Sequence, residues 1–178
     1  GASVFAAVIA EIREQRPSVT VEVLIPDFQG NLTALQEIAQ SAPDVVNHNV
    51  ETVPRLYPKV RPQADFGRSL DVLRFFRDLD PPLETKTGLM VGLGETGEEL
   101  FHLFSHLAKI DVQTLTIGQY LRPNKACIPI AKYYTPQEFA DLKMLAEQVG
   151  ISRVFSAPLV RSSYHAAELH GQIDRTFE

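Results

Sequence analysis

Apolar residues recur along this chain in two alternating rhythms. Phe5, Val8, Ile9 and Ile12 fall at helical spacing, so residues 3–14 predict an amphipathic helix. Val21-Glu22-Val23-Leu24-Ile25 follows, a β-rich run closed by Pro26-Asp27, and predicts a strand. The two rhythms then repeat. Leu32, Leu35, Ile38 and Ala39 predict a second helix, and Asp44–Val50 a second strand between Pro43 and Pro54. Phe66, Leu70, Leu73 and Phe76 predict a third helix, with a third strand over Gly88–Val91. Leu100, Leu103, Phe104 and Leu107 form the inner stripe of a fourth helix. Its start, Thr96-Gly97-Glu98-Glu99, has the pattern of a capping box, in which the Thr and Glu side chains accept from each other's backbone N–H. Asp111–Ile117 is the fourth strand. In the last helix Thr135 is placed to cap, Pro136 to open the first turn and Gly150 to end it, over a stripe of Phe139, Leu142, Ala146 and Val149. Arg153-Val154-Phe155 is a short final strand.

Helix and strand thus alternate, which predicts an α/β fold with a parallel sheet. The pattern alone does not separate a doubly wound sheet from a barrel. The polar and Gly-rich residues gather just after successive strands, at Pro26-Asp27, Asn47-His48-Asn49, Gly92-Leu93-Gly94-Glu95 and Gly118-Gln119-Tyr120. Parallel α/β folds bind ligands at the C-terminal ends of their strands, and such marking of four consecutive strands favours a barrel. The 178 residues are 44% hydrophobic and 22% charged, the composition of one folded domain. A net charge of −5 argues against a nucleic-acid partner, and no apolar run has the length of a membrane span. Cys127 is the only cysteine, which excludes an internal disulfide and any all-cysteine metal site made by one copy of the chain.

Three segments can carry chemistry. Gly88-Leu89-Met90-Val91-Gly92-Leu93-Gly94-Glu95 places glycines at a strand end, where a backbone can approach a flat ligand. On its residues alone it is equally a tight turn with a surface glutamate. Asn47-His48-Asn49-Val50-Glu51 together with Arg55 groups five side chains able to hydrogen-bond a ligand, and Arg61 follows ten residues after Glu51. Carboxylate and amide groups suit ribose hydroxyls and an ammonium, and an arginine suits a carboxylate. The same stretch reads otherwise as a polar loop. Arg161-Ser162-Ser163-Tyr164 is an exposed near-terminal pair of serines unless a cation cluster lowers a serine pKa enough for it to act as a ligand. Lys86 in Thr85-Lys86-Thr87 invites comparison with the Schiff-base lysine of aldolase-type barrels, but it stands early in its strand, away from the catalytic end.

Together these segments resemble lipoyl synthase, a radical S-adenosylmethionine (SAM) family, over roughly residues 1–170. The resemblance implies a partial TIM-like (β/α) barrel lacking its N-terminal strands, with residues 1–156 as barrel and 157–178 as a tail bearing the Arg161–Tyr164 motif. Gly88-x-Met90-x-Gly92-x-x-Glu95 is similar to a radical SAM segment that helps hold adenine, with Met90 in place of isoleucine. Asn49, Glu51, Arg61, Gly92 and Glu95 become the expected SAM-binding residues. Ser163 becomes the expected ligand of an auxiliary [4Fe–4S] cluster, and Arg161 its electrostatic support. The implied reaction inserts two sulfur atoms into an octanoyl chain on a lysine of a lipoyl carrier protein. It needs two [4Fe–4S] clusters, SAM and an electron donor such as flavodoxin or ferredoxin. The cluster cysteines of the family are expected upstream of Gly1. Where the family often has His, this chain has Cys127, which belongs to neither cysteine motif and is not expected to be a ligand. The expected location is cytoplasmic, with mitochondrion or plastid as the alternatives.

Two functional readings result. One is the C-terminal portion of an active lipoyl synthase. The other is a non-catalytic truncated barrel or nucleoside-binding module. Either way, the isolated 178-residue segment is expected to expose barrel edges and to aggregate or pack loosely. A sharp, cooperative thermal transition from a soluble monomer would overturn that expectation.

Overall fold

The computed structural model describes residues 1–163. In chain order the main elements are α1 (Ala2–Gln15), β1 (Glu22–Leu24), α2 (Leu32–Gln40), β2 (Val45–Asn47), α3 (Tyr57–Val60), α4 (Phe66–Arg77), β3 (Glu84–Val91), α5 (Gly97–Lys109), β4 (Thr114–Gln119), α6 (Pro136–Gln148) and β5 (Arg153–Ser156). The strands are all parallel, and their order in the sheet is their order in the sequence. That order decides between the two architectures left open by the sequence. A doubly wound sheet reverses direction at a switch point, whereas a singly wound one continues the same way round, as a barrel wall does.

Each strand offers alternate side chains to the helices. Val23 and Val46 pack with Ile9 of α1, Leu35 and Ile38 of α2, and Val72 and Phe76 of α4. Leu89, Val91, Leu115, Ile117 and Val154 pack with the inner stripes of α4, α5 and α6 in a second, larger cluster. The two cores lie along one side of the sheet. Their helices are anchored by their own chemistry: Thr96–Glu99 and Thr135–Glu138 both form complete capping boxes, and Asn31 and Asp65 cap α2 and α4.

The other face of the sheet is polar. In register, one row runs Leu24, Asn47, Lys86, Thr114, Arg153. Lys86 is fully buried there, and its Nζ lies 2.9 Å from Glu22 Oε2. Asn47 Nδ2 donates to Glu22 Oε1 at 3.0 Å. Arg153 pairs with Glu84 and donates through Nε to Thr114 Oγ1 at 3.0 Å. So Lys86 is paired with a carboxylate on β1, reached across β2, which is a structural role.

β3 starts at Glu84, upstream of the expected Gly88. Glu84-Thr85-Lys86-Thr87 looks too polar for a buried strand, but the sheet supplies partners. Thr85 N donates to Gln113 Oε1 at 2.9 Å, and Thr87 Oγ1 donates to the His48 carbonyl at 2.7 Å. β4 begins at Thr114 instead of Asp111, because Asp111 adopts a left-handed φ of 57° in the turn that leaves α5. The short α3 carries no periodic signal in the sequence.

The buried pair has asymmetric consequences. Glu22→Leu strands a buried ammonium and is expected to destabilise the fold by about 3 kcal/mol or more. Lys86→Met leaves a carboxylate that is 17% exposed and is expected to cost less. The double variant should recover most of the loss. Urea-unfolding midpoints of the three variants test this order.

Candidate functional site

Beyond Asn47 the chain departs from the β2–β3 ladder and then returns to it. His48 N donates to the Lys86 carbonyl at 3.1 Å, and Val50 N turns to the Thr87 hydroxyl at 3.2 Å. Glu51 rejoins β3: its N–H donates to the Gly88 carbonyl and its carbonyl accepts from Met90 N, both at 2.9 Å. This is why β2 ends at Asn47 instead of continuing to Val50. The excursion leaves Glu51 at φ 65°, a left-handed conformation unusual for a glutamate. Such a residue carries about 1–3 kcal/mol of strain, and strain of this kind gathers at functional sites.

The bulge projects Asn49 and Glu51 onto the polar face of the sheet. Asn49 Nδ2 donates to Glu51 Oε1 at 3.2 Å, which leaves the amide oxygen toward Gly88. That oxygen, Asn49 Oδ1, is buried and without a hydrogen-bond partner. It faces Gly88: a Cβ there would lie 2.9 Å from Asn49 Oδ1 and 2.7 Å from Thr116 Oγ1. Asn49, Glu51, Gly88, Thr116, Gly118 and Arg161 line a cavity of about 90 Å³, whose outer wall is the segment Val160–Ser162. Buried polar atoms in folded proteins are nearly always paired, so an unpaired acceptor on a cavity wall marks a place for a donor.

The other expected site residues are distributed differently. Arg61 Nη1 donates to the Asn49 carbonyl at 3.0 Å, and its guanidinium sits 5.6 Å from the Tyr57 ring centre. Among the described residues its Nε and Nη2 make no hydrogen bond, and Arg61 faces a second cleft beside Pro26, Asp27 and Gln63. Arg55, singled out in the same polar stretch, is paired with Glu99 at 2.7 Å and donates to the Gly94 carbonyl. It therefore ties the bulge to the start of α5; beside it, the Glu99 carboxyl is held down at about 2. Gly92 (φ 100°) is required by packing, since a Cβ would meet Gln119 Nε2 and the Lys132 carbonyl within 2.4 Å. Glu95 accepts from Gly92 N at 2.7 Å and from Leu93 N at 2.9 Å, closing its own turn. Neither lines the cavity; of the Gly-rich motif, Gly88, Leu89 and Met90 do.

Arg161 lines the cavity and donates to the Val160 carbonyl at 2.6 Å. Ser163 is exposed just beyond it, while Tyr164 and the rest of the tail lie outside the described residues. Cys127 is partly buried and makes a 3.6 Å contact with Asn124 Oδ1. Among the described residues no group of three or more His, Cys, Asp or Glu side chains forms a metal site, and no helix is long and apolar enough to cross a membrane. The sequence singled out Gly118 only within the strand-end run Gly118-Gln119-Tyr120, and Thr116 not at all. Their signal was pairing: Gly88 lies opposite Thr116, and Met90 opposite Gly118.

His48 is buried, with Nδ1 3.0 Å from the Ile25 carbonyl. A carbonyl only accepts, so Nδ1 carries the proton and Nε2 is bare and unpaired. Burial pushes its pKa below the ordinary 6.5. The unfolded chain therefore binds a proton at His48 before the folded one does. The stability it contributes is full above pH 6.5 and is lost as pH falls toward the folded value. Relative to His48→Gln, the wild type should thus be more stable at about pH 7.5 than at about pH 5. Guanidinium midpoints at the two pH values measure the difference, and a constant difference would refute the assignment.

Comparison with known proteins adds the ancestry of this arrangement. Residues 3–107, more than half of the chain, match the Radical SAM superfamily. The lipoyl synthase of Rubrobacter xylanophilus is 57% identical over 168 residues, covering 94% of this chain and 52% of that protein. Those of Caldanaerobacter subterraneus and Coxiella burnetii are 52% and 49% identical, with 58% and 56% of their lengths covered. The chain thus spans about half the length of the curated relatives it matches. Among solved structures, Streptococcus suis SuiB superposes with a TM-score of 0.65 at 12% identity, over 97% of this chain and 39% of that one. Methylornithine synthase (PylB) superposes with a TM-score of 0.61 at 13% identity, over 88% and 52%. These two likenesses speak for the fold alone. With its singly wound parallel strands and the matched segment, the chain belongs to the radical SAM superfamily.

Proposed function

We propose that this chain serves lipoyl synthesis: sulfur insertion into an octanoyl group on a lipoyl carrier protein, with SAM bound at the Asn49–Glu51 cavity. The observation that carries the reading is the buried, unpaired Asn49 Oδ1 beside Glu51 at the ligand end of the sheet. A ribose hydroxyl supplies the missing donor, and the Glu51 carboxylate suits a second hydroxyl or an ammonium. Gly88, by lacking a Cβ, lets Asn49 Oδ1 and Thr116 Oγ1 come together on this wall of the cavity. Arg61, whose Nη1 donates to the Asn49 carbonyl, suits the methionyl carboxylate through its remaining N–H groups. Gly92 and Glu95 act at one remove, by shaping the turn that follows β3.

A reduced [4Fe–4S] cluster together with SAM would supply the radical chemistry that removes hydrogen from the octanoyl chain. This chain's one cysteine cannot hold such a cluster, so its thiolate ligands come from outside these residues. Ser163 fits an auxiliary cluster as a single oxygen ligand: it is exposed, and it follows directly on the segment that walls the cavity. Arg161, on the cavity wall two residues before Ser163, then serves as electrostatic support for that cluster. A carrier protein bearing octanoyl-lysine and an electron donor such as flavodoxin or ferredoxin complete the set of partners.

In the full-length enzyme with its clusters, Ser163→Ala is expected to abolish lipoyl product while SAM cleavage persists. Asn49→Leu or Glu51→Gln should instead weaken SAM binding about tenfold, as expected for one lost polar contact. Equilibrium dialysis of SAM and mass spectrometry of the carrier peptide separate the two effects. Unchanged SAM affinity in both cavity variants would sink the assignment.

A further inference from the structure

The segment after β5 lies close against β4. The Pro158 carbonyl accepts from Gln119 N at 3.2 Å, and Ala157 N donates to the Ile117 carbonyl at 3.2 Å. Between them the chain passes over Gly118. A Cβ on Gly118 would lie 2.2 Å from the Val160 carbonyl oxygen and 3.0 Å from Arg161 Nη1. The first contact is with backbone, which has no rotamer to escape into, so the segment must move outward if any side chain is added. Nothing else requires a glycine here, because Gly118 is not at positive φ. A second tether comes from β2, two strands away from β4: Asn47 Nδ2 reaches the Ser162 carbonyl at 3.5 Å while holding Glu22.

We infer that Gly118 is a positioning residue that seats Val160–Ser163 on the end of the sheet, fixing both the outer wall of the Asn49–Glu51 cavity and the place of Ser163. The second half of this inference rests on the reading of Ser163 as a cluster ligand; the first half does not. Gly118 lines the cavity with backbone alone and has no side chain to offer a reacting atom. It acts by what it lacks, allowing the 160–162 backbone to approach the strand more closely than any other residue would permit.

The test compares Gly118→Ala with Gly97→Ala in the full-length protein. Gly97 has open space around its Cβ position and serves as the control. Hydrogen exchange is followed at the amides of Gln119 and Val160, which bond to the Pro158 and Ala157 carbonyls, and at Met90, which does not belong to the seat. Gly118→Ala should speed exchange at Gln119 and Val160 about tenfold and leave Met90 unchanged, an opening confined to one segment. Gly97→Ala should change none of them. If Gln119 and Val160 keep their protection in Gly118→Ala, the inference is overturned. Should that variant fail to fold, Asn47→Leu removes the second tether without a steric demand. It is expected to speed exchange at Val160, and unaltered protection there overturns the inference equally.

The electron paramagnetic resonance signature of the auxiliary cluster gives the second readout. Gly118→Ala should shift it in the same sense as Ser163→Ala, which a merely structural glycine would not do. If exchange rises as expected but Ser163→Ala leaves that signature untouched, the seat stands and the ligand reading of Ser163 falls.

Discussion

The fold is organised around a buried ammonium. Lys86 sits on the middle strand with no exposure to solvent, and such a charge is tolerable only when paired and hydrogen-bonded. Glu22 meets it from β1, Asn47 braces Glu22 from β2, and Arg153 with Glu84 forms a second pair further along the sheet. Hydrophobic burial holds the helices to one face and opposes a one-residue slip, which would turn the apolar side chains away from them. The ion pairs and amide contacts oppose the same slip, since it would turn each charge into the apolar layer. Pairs of this kind add little net stability compared with an apolar core, and their contribution here is geometric.

That geometry is what brings the candidate site together. Asn47 belongs to the polar row, and the bulge begins one residue later. Its start is pinned by His48 N on Lys86, its middle by Val50 N on Thr87, and its end by Glu51 on Gly88 and Met90. Each anchor lies on β3, so the strand that carries the buried lysine also sets the pitch at which Asn49 and Glu51 emerge. The strain in Glu51 is held by its two backbone hydrogen bonds, one through its N–H and one through its carbonyl, a cost that a free loop would relax.

Much of the fold was legible in the sequence. Helix stripes such as Leu100, Leu103, Phe104 and Leu107 and caps such as Thr96 and Thr135 repeat a local code, and local codes are read directly. The polar half of β3 was not legible, because Glu84, Thr85, Lys86 and Thr87 are buried only through partners on other strands. Asn49 and Glu51 could be picked out from the residue types in their stretch and from the family likeness, but the bulge that orients them could not. Gly92 and Glu95 show the opposite limit. A motif identifies residues worth keeping without saying whether they touch a ligand or shape the turn beside it, and here both shape the turn. Arg55 is a similar case, a cation in a polar stretch that serves α5 instead of the cavity.

Gly88 and Gly118 belong to the same logic as Lys86. They lie on the same polar face of neighbouring strands, two positions apart in register, and each marks a place where something must come closer than a side chain allows. At Gly88 it is Asn49 and Thr116, and at Gly118 it is the Val160 backbone. The polar face therefore grades from filled to open along the strands. At the Lys86 level the charged side chains are paired, at the Gly88 level Asn49 presents an acceptor with no partner, and at the Gly118 level the returning chain closes the wall. Asn47 connects the first level to the last, since one amide nitrogen faces both Glu22 and the Ser162 carbonyl. A change in the buried charge layer thus has a direct path to the segment bearing Ser163, through a single side chain and without the helices taking part.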